Sequence, residues 1–362
     1  MLTIEMLPAS YGDCIWIKYG NPVSPSQVLI DAGLASTYKD QLKPRLKELQ
    51  RDQRKFDLIV ATHIDNDHIA GMEKLLKDRD RLGLKMDDFW YNALTHLPKK
   101  IYVTEAYSVR TAEKLSSVIE QKDLPPMPWN VSTDQKAVMR DGLFDLPCFT
   151  LAGGARITIL GPTRDKLIAL RDHWETALED DISNFKEFFD EAALEEAISL
   201  ESYSTNDINI ESLAYTPFNS DTSVPNGSSI SLLFEFNGKS ILLAGDAHDE
   251  TLRESISALA EKRGKTRLNI DAFKLSHHGS QKNLSKELIE LISCKKYLIS
   301  SNGNKFNHPD AETLARIIKF GATDPELIFN YESDFTKPWL DDGLQNHERF
   351  TAKVVSGKSI RI

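Results

Sequence analysis

Apolar positions recur every second residue at the start of the chain. LTIEML and CIWIKYG alternate as half-buried strands do, and QVLIDAG adds a third strand. Tyr38 to Arg51 carries a helical pattern. FDLIVATH is the continuous apolar run of a buried strand, and Ile69 to Lys77 opens a helix. DFWYN and IYVTE read as strands, Ser108 to Gln121 as a helix, and ARITILGP as a strand closed by Gly-Pro. The period then changes. Leu167, Leu170, Trp174, Leu178, Ile182, Phe185 and Phe189 recur at three or four residues, predicting a helical pair across 163–204. Residues 206–226, rich in Ser, Thr, Asn and Pro, predict a long loop.

The strand pattern restarts beyond that loop. SISLLFEF and KSILLAGD flank Asn237-Gly238, a two-residue hairpin signal. Helix 250–262, strand IDAFKLS, helix 286–292, strand KYLISS, helix 311–320, strand LIFNY and a terminal hairpin around Ser356-Gly357 follow. Two blocks of strands and helices bracket an insertion. That order predicts an α/β fold, two sheets packed together with helices outside, in a four-layer αββα sandwich. The expectation is one domain over 1–362, with 163–224 as an inserted acidic helical segment plus loop.

Composition narrows the class. The chain has 362 residues, 41% hydrophobic and 27% charged, an ordinary globular balance. No apolar run approaches the ~18–20 residues that span a bilayer. The N-terminus does not read as a signal peptide. Three widely spaced cysteines without a CxxC pair suggest a reduced compartment, so the expectation is a cytoplasmic protein without membrane partners. The net charge of −10 argues against a generic nucleic-acid-coating surface. Residues 164–201 hold twelve acids and four bases, −8 of that total, so the rest of the chain is only −2.

The chemistry concentrates in THIDNDHIAG, residues 62–71. His63, Asp65, Asp67 and His68 lie just past a strand end, four potential ligands in six residues. Such a turn can aim ligand pairs at two adjacent ions, and two-metal sites activate water and stabilise both oxygens of a displacement. The bland alternative is a polar turn with Asn66 or Asp67 capping a helix. Two later strands end on further candidates: LLAGDAHDE on Asp246, and KLSHHGS on His277 and His278.

Together these residues resemble the metallo-β-lactamase fold superfamily, and more narrowly the hydrolase domain of ComEC-type DNA-uptake proteins and their soluble relatives. The matching stretches run in order: Gly12-Asp13, LIDAG (Asp31, Gly33), THIDNDHIAG, NGSSI (Asn226, Ser229), LLAGD, KLSHHGS and NKFNHPDAE. The insertion 163–224 has no counterpart among them. The resemblance implies a two-metal hydrolase in which Asp65 replaces the usual second histidine and Asn226 stands where a third-motif histidine is commonly absent. Carried over, one metal takes His63, Asp65 and Asp246, helped by Asn226. The other takes Asp67, His68, Asp246 and one of the paired histidines, with Asp246 bridging. His278 is the expected ligand and His277 the group facing the substrate, although the sequence leaves that order open. Oxygen ligands harden the first site, which widens its tolerance from Zn²⁺ to Mn²⁺ or Mg²⁺; zinc or manganese is expected. Asp31 is expected to orient a ligand histidine, and His308 to lie on the cleft rim or else to begin a helix.

The expected activity is that of a phosphodiesterase or nuclease using a metal-bridging hydroxide, with Asp67, His277 and Ser280 as catalytic residues. Its substrate would be a phosphodiester, with DNA or a nucleotide favoured by the resemblance. Two other readings stay open. One is an acyl hydrolase of the lactam or lactone type. The other is a non-catalytic sensor docking a protein partner through 163–204.

Overall fold

The structure, a computed structural model, describes residues 1–98, 109–121, 126–180 and 208–362. The strand read from IYVTE and the second half of the helical pair, beyond residue 180, lie outside those residues. So do the side chains of Leu178, Ile182, Phe185 and Phe189.

Among the described residues, fourteen strands form the two main sheets. In spatial order the first sheet is Ile360–Arg361, Leu2–Met6, Ile15–Gly20, Pro25–Ile30, Leu58–Val60 and Phe89–Trp90. The second is Thr351–Val354, Glu326–Phe329, Lys296–Ile299, Ala272–Lys274, Lys239–Leu243, Ser231–Phe236, Arg156–Gly161 and Cys148–Thr150. Three separate apolar clusters define the layers. Between the sheets lie Ile4, Ile15, Ile17, Val28, Ile159, Leu232, Phe234 and Ile241. Outside the first sheet Trp16, Leu29 and Ile59 pack against Ile69, Met72 and Leu75 of the helix Asn66–Leu82. Outside the second, Leu233, Leu242 and Phe273 pack against Leu252, Ile256 and Leu314. This is the four-layer αββα sandwich.

Residues 15–17 correct one expectation. Ile15 and Ile17 face the partner sheet while Trp16 faces the helices, and all three are buried. The strand is covered on both faces rather than half-buried, as expected where helices cap the sheet. The hairpin at Asn237-Gly238 forms as predicted, with positive φ at both residues (48° and 74°). The terminal hairpin does not. Thr351–Val354 pairs in parallel with Glu326–Phe329 in the second sheet, whereas Ile360–Arg361 pairs antiparallel with Leu2–Met6 in the first. Ser356 and Gly357, both left-handed, turn the chain from one sheet to the other. The region 206–226 is not loop throughout: it holds the short helices Ile210–Ala214 and Val224–Gly227.

The topology sets the position of the site. Pro25–Ile30 and Leu58–Val60 run parallel in the first sheet, and Lys239–Leu243, Ala272–Lys274 and Lys296–Ile299 run parallel in the second. Each of these strands ends in a turn bearing polar residues, so the turns collect along one edge of the sandwich, where open α/β sheets place their ligands.

Candidate metal centre

Asp31 follows its strand with φ 56° and is fully buried. One oxygen accepts from the Thr62 backbone N–H at 2.8 Å. The other accepts from the Thr62 hydroxyl at 2.7 Å and lies 2.8 Å from His68 Nδ1. His68 therefore donates through Nδ1 and turns Nε2 outward with its lone pair. The Thr62 hydroxyl, already donating to Asp31, accepts from His63 Nδ1 at 3.1 Å. His63 is set in the same tautomer, so a single carboxylate orients two imidazoles.

The two freed nitrogens meet Asp246. Asp246 Oδ2 lies 3.4 Å from His68 Nε2, 3.8 Å from His63 Nε2, 3.8 Å from His278 Nε2 and 4.0 Å from His277 Nε2. His278 Nε2 is also 3.4 Å from Asp67, while Asp67 is 3.8 Å from His68 Nε2. Asp65 stands at the N-cap of the helix Asn66–Leu82, 3.5 Å from His63 Nε2 and partly exposed. Its side chain makes no cap bond.

Whether these residues suit metal ions is answered by their unmet atoms. His63 Nε2, His68 Nε2, His278 Nε2 and Asp246 Oδ1 are buried without a hydrogen-bond partner. Leaving such atoms unpaired costs about 1–3 kcal/mol each. Two sets bring their ligand atoms within 4.8 Å of one another: His63, His68 and Asp246, and Asp67, His68 and His278. Imidazole nitrogens and carboxylate oxygens at this spacing fit divalent cations. A third set, Asp13, Asp31 and His68, is spent on support, because Asp31 holds Thr62 and His68 and Asp13 holds a lysine.

That lysine, Lys274, is buried in its strand and pairs with Asp13 at 2.7 Å. Burial works against Asp13's charge, but Lys274 and then His278 hold its carboxyl well below the usual range. Asp13 lies 3.6 Å from His278 Nδ1, which donates to the Ser300 carbonyl at 2.9 Å. Gly12 beside it admits no side chain: a Cβ would fall 1.9 Å from the Asp67 carbonyl oxygen.

His277 and His278 both occupy the left-handed region (φ 44° and 54°), which splays their rings apart. His277 is held on its Nδ1 side by Asn283 Oδ1 at 3.1 Å and Asp221 at 3.5 Å. Burial disfavours its charge, but Asp246 and then Asp221 raise its pKa to about 10. Asp221 accepts from the side-chain amides of Asn226 and Asn283 at 2.8 and 3.0 Å.

Other polar residues lie around or away from this cluster. Asn226 gives its amide to Asp221 and lies 3.4 Å from His277 Nδ1, behind that ring rather than among the metal ligands. Ser280 is buried, its backbone N–H donating to the His277 carbonyl at 2.8 Å and its hydroxyl accepting from the Lys282 N–H at 3.3 Å. His308 is buried beside His277, ring centroids 5.2 Å apart, with Nδ1 3.3 Å from Asp310. His248 caps the helix Asp249–Lys262, with one nitrogen on the Ser223 carbonyl and the other facing Lys166. His96 packs on Trp129, and burial lowers its pKa to about 4. Sequence reasoning gave no role to Asp13, Lys274, Asp221 or Asn283. Gly12-Asp13 carried a signal as a motif; Asp221, inside a polar loop, carried none.

Part of the chain is similar in sequence to known proteins. Residues 25–124, which contain the turn 62–71, match the Metallo-beta-lactamase superfamily. ComE operon protein 3 of Bacillus subtilis (strain 168) is 29% identical over 129 residues, 34% of this chain and 16% of that protein. The chain thus matches only a small part of that relative's length. Among solved structures, CmlA, a diiron β-hydroxylase from Streptomyces venezuelae, aligns over 100% of this chain and 54% of its own at 12% identity and a TM-score of 0.42. Zn²⁺-bound PqqB from Methylobacterium extorquens aligns over 96% and 87% at 10% identity and a TM-score of 0.39. Likeness at those scores carries no argument about this chain. No described helix is long and apolar enough to cross a membrane. With residues 25–124 matched in sequence and its candidate ligands gathered at one edge of an αββα sandwich, the chain resembles the metallo-β-lactamase superfamily, whose members are mostly metal-dependent hydrolases.

Proposed function

We propose that this chain is a two-metal phosphodiesterase. The observation that carries the reading is the arrangement around Asp246 Oδ2. Three imidazoles turn bare, buried nitrogens to it, and a fourth, His277, stands 4.0 Å away with Asn283 and Asp221 behind its ring. A cleft that gathers cation ligands and sets a further imidazole beside them suits a substrate anion.

His63, Asp65 and Asp246 would hold one ion, and Asp67, His68, His278 and Asp246 the other, with His68 close enough to serve either. Such ions polarise a phosphoryl oxygen and acidify water. Asp67, whose carboxylate lies 3.4 Å from His278 Nε2 and 3.8 Å from His68 Nε2, would orient the attacking water and take its proton, which the departing alkoxide receives as the P–O bond to it breaks. His277 would donate to a non-bridging phosphate oxygen and return to Asp221's support. Ser280, whose N–H holds the His277 carbonyl while its hydroxyl accepts from Lys282, is given a positioning part rather than a share in that step.

The test is hydrolysis of bis(p-nitrophenyl) phosphate by metal-stripped protein resupplied with Mn²⁺, Zn²⁺ or Mg²⁺ separately. Activity should return with at least one ion and disappear in Asp67→Ala. Silence with every ion, or full activity and metal content in Asp67→Ala, would overturn the assignment.

A further inference from the structure

We propose that Tyr11, Phe306 and Lys305 form a base-stacking subsite beside the metal centre, so that the diester cleaved is one bearing a nucleobase. This rests on the phosphodiesterase reading and names its substrate class.

Tyr11 immediately precedes Gly12, the residue pressed against the Asp67 main chain. Burial and then the Asp67 carboxylate push the Tyr11 phenol above its ordinary value, which agrees with that placement. Phe306 meets Tyr11 edge to face, centroids 5.8 Å apart. It lies nearly parallel to His308 at 6.1 Å and 6.5 Å from His277. Lys305 Nζ lies over both rings, 5.2 Å from Tyr11 and 4.6 Å from Phe306. Tyr11 and Phe306 are half-buried and Lys305 is exposed. Lys305 has no acidic partner among the described residues. At the inner end, His308 Nε2 is buried and unpaired.

These features are redundant as packing. A core contact has no use for an unneutralised lysine over two rings. Half-open aromatic faces with a cation between them, leading to a phosphate site, are the elements that hold single-stranded nucleic acid: rings stack on bases while the cation meets the backbone. A phosphate at Asp246 would place its esterified nucleoside along His277 and His308 toward Phe306.

Two diesters with the same leaving group separate the possibilities: thymidine 5′-(p-nitrophenyl phosphate) and methyl p-nitrophenyl phosphate. The wild-type protein should prefer the thymidine ester in kcat/KM. Phe306→Ala should shrink that preference about tenfold, the scale of one stacked base. Phe306→Trp should retain it, which separates loss of stacking from loss of folding. A second readout needs no turnover: a 2-aminopurine dinucleotide with a phosphorothioate linkage should be quenched on binding to wild type and Phe306→Trp but not to Phe306→Ala. An unchanged preference in Phe306→Ala overturns the subsite. If neither diester is cleaved with any ion, the phosphodiesterase reading fails and quenching alone decides the subsite: equal quenching by wild type and Phe306→Ala overturns it, and quenching lost in Phe306→Ala upholds it.

Discussion

In the turn after Leu58–Val60, one carboxylate sets two imidazoles; in the turn after Ala272–Lys274, each imidazole has its own support. Asp31 reaches His68 directly and His63 through the Thr62 hydroxyl. His278 instead leans on a main-chain carbonyl, with the Asp13–Lys274 pair behind it, and His277 on Asn283 and Asp221. The first turn concentrates its risk in a single side chain. The second spreads it over backbone and several residues from distant parts of the chain. A carboxylate behind an imidazole also raises its basicity more than a carbonyl does, so the two turns should respond differently to mutation.

Asp246→Ala removes what the two turns share and should have the largest effect. Metal content by mass spectrometry should fall at both positions, and hydrolysis should drop beyond the about 100-fold seen when supporting residues are lost. Loss of one ion alone would show that Asp246 does not bridge. Lys274→Met is next. It leaves Asp13 buried without its partner and should cost about 3–5 kcal/mol in urea unfolding, part of which Asp13→Leu should restore in the double variant. The pH dependence follows from the same pair. Asp13's folded pKa is depressed, so its stabilisation is present above the unfolded value near about 3.9 and is lost as pH falls below it. Lys274→Met should flatten the acid limb of the stability curve; an unchanged limb would mean the pair contributes nothing. Asp31→Asn should weaken metal binding about 10- to 100-fold by competition with a chelator. Asp13→Asn should weaken it less, because His278 keeps its bond to Ser300; equal losses would erase the contrast between the turns. His248→Gln should have the smallest effect. Both its nitrogens are engaged away from Asp246, so metal content should not change and stability should fall by about 1 kcal/mol.

Much of this design can be read in the residue order, because strands and ligand turns are local. THIDNDHIAG and KLSHHGS announce themselves: the ligand types sit next to one another and next to an apolar run. The strand sequence likewise yields the layers. The supports are less visible because each is a long-range contact between ordinary polar residues. Asp13 and Lys274 are 261 positions apart and meet only when the sheets pack. Asp221 lies in a stretch that reads as loop, and its value to His277 depends on Asn226 and Asn283 arriving from other elements. The last hairpin was misread for the opposite reason: a local turn signal at Ser356-Gly357 is real, but the register of its flanking strands is decided by two different sheets.

That crossover has a consequence for synthesis. Ile4 pairs with Ile360, so the edge of the first sheet remains open until almost the whole described chain has left the ribosome. Until then Leu2–Met6 offers an unpaired row of backbone groups to any other nascent chain, and closure waits on a contact of very long range. A late clasp of this kind makes residues 360–361 a checkpoint for closing the first sheet. Truncation before Ile360 should give a protein that retains its metal turns yet self-associates, and the polypeptide should depend most on chaperones until Ile360 has emerged.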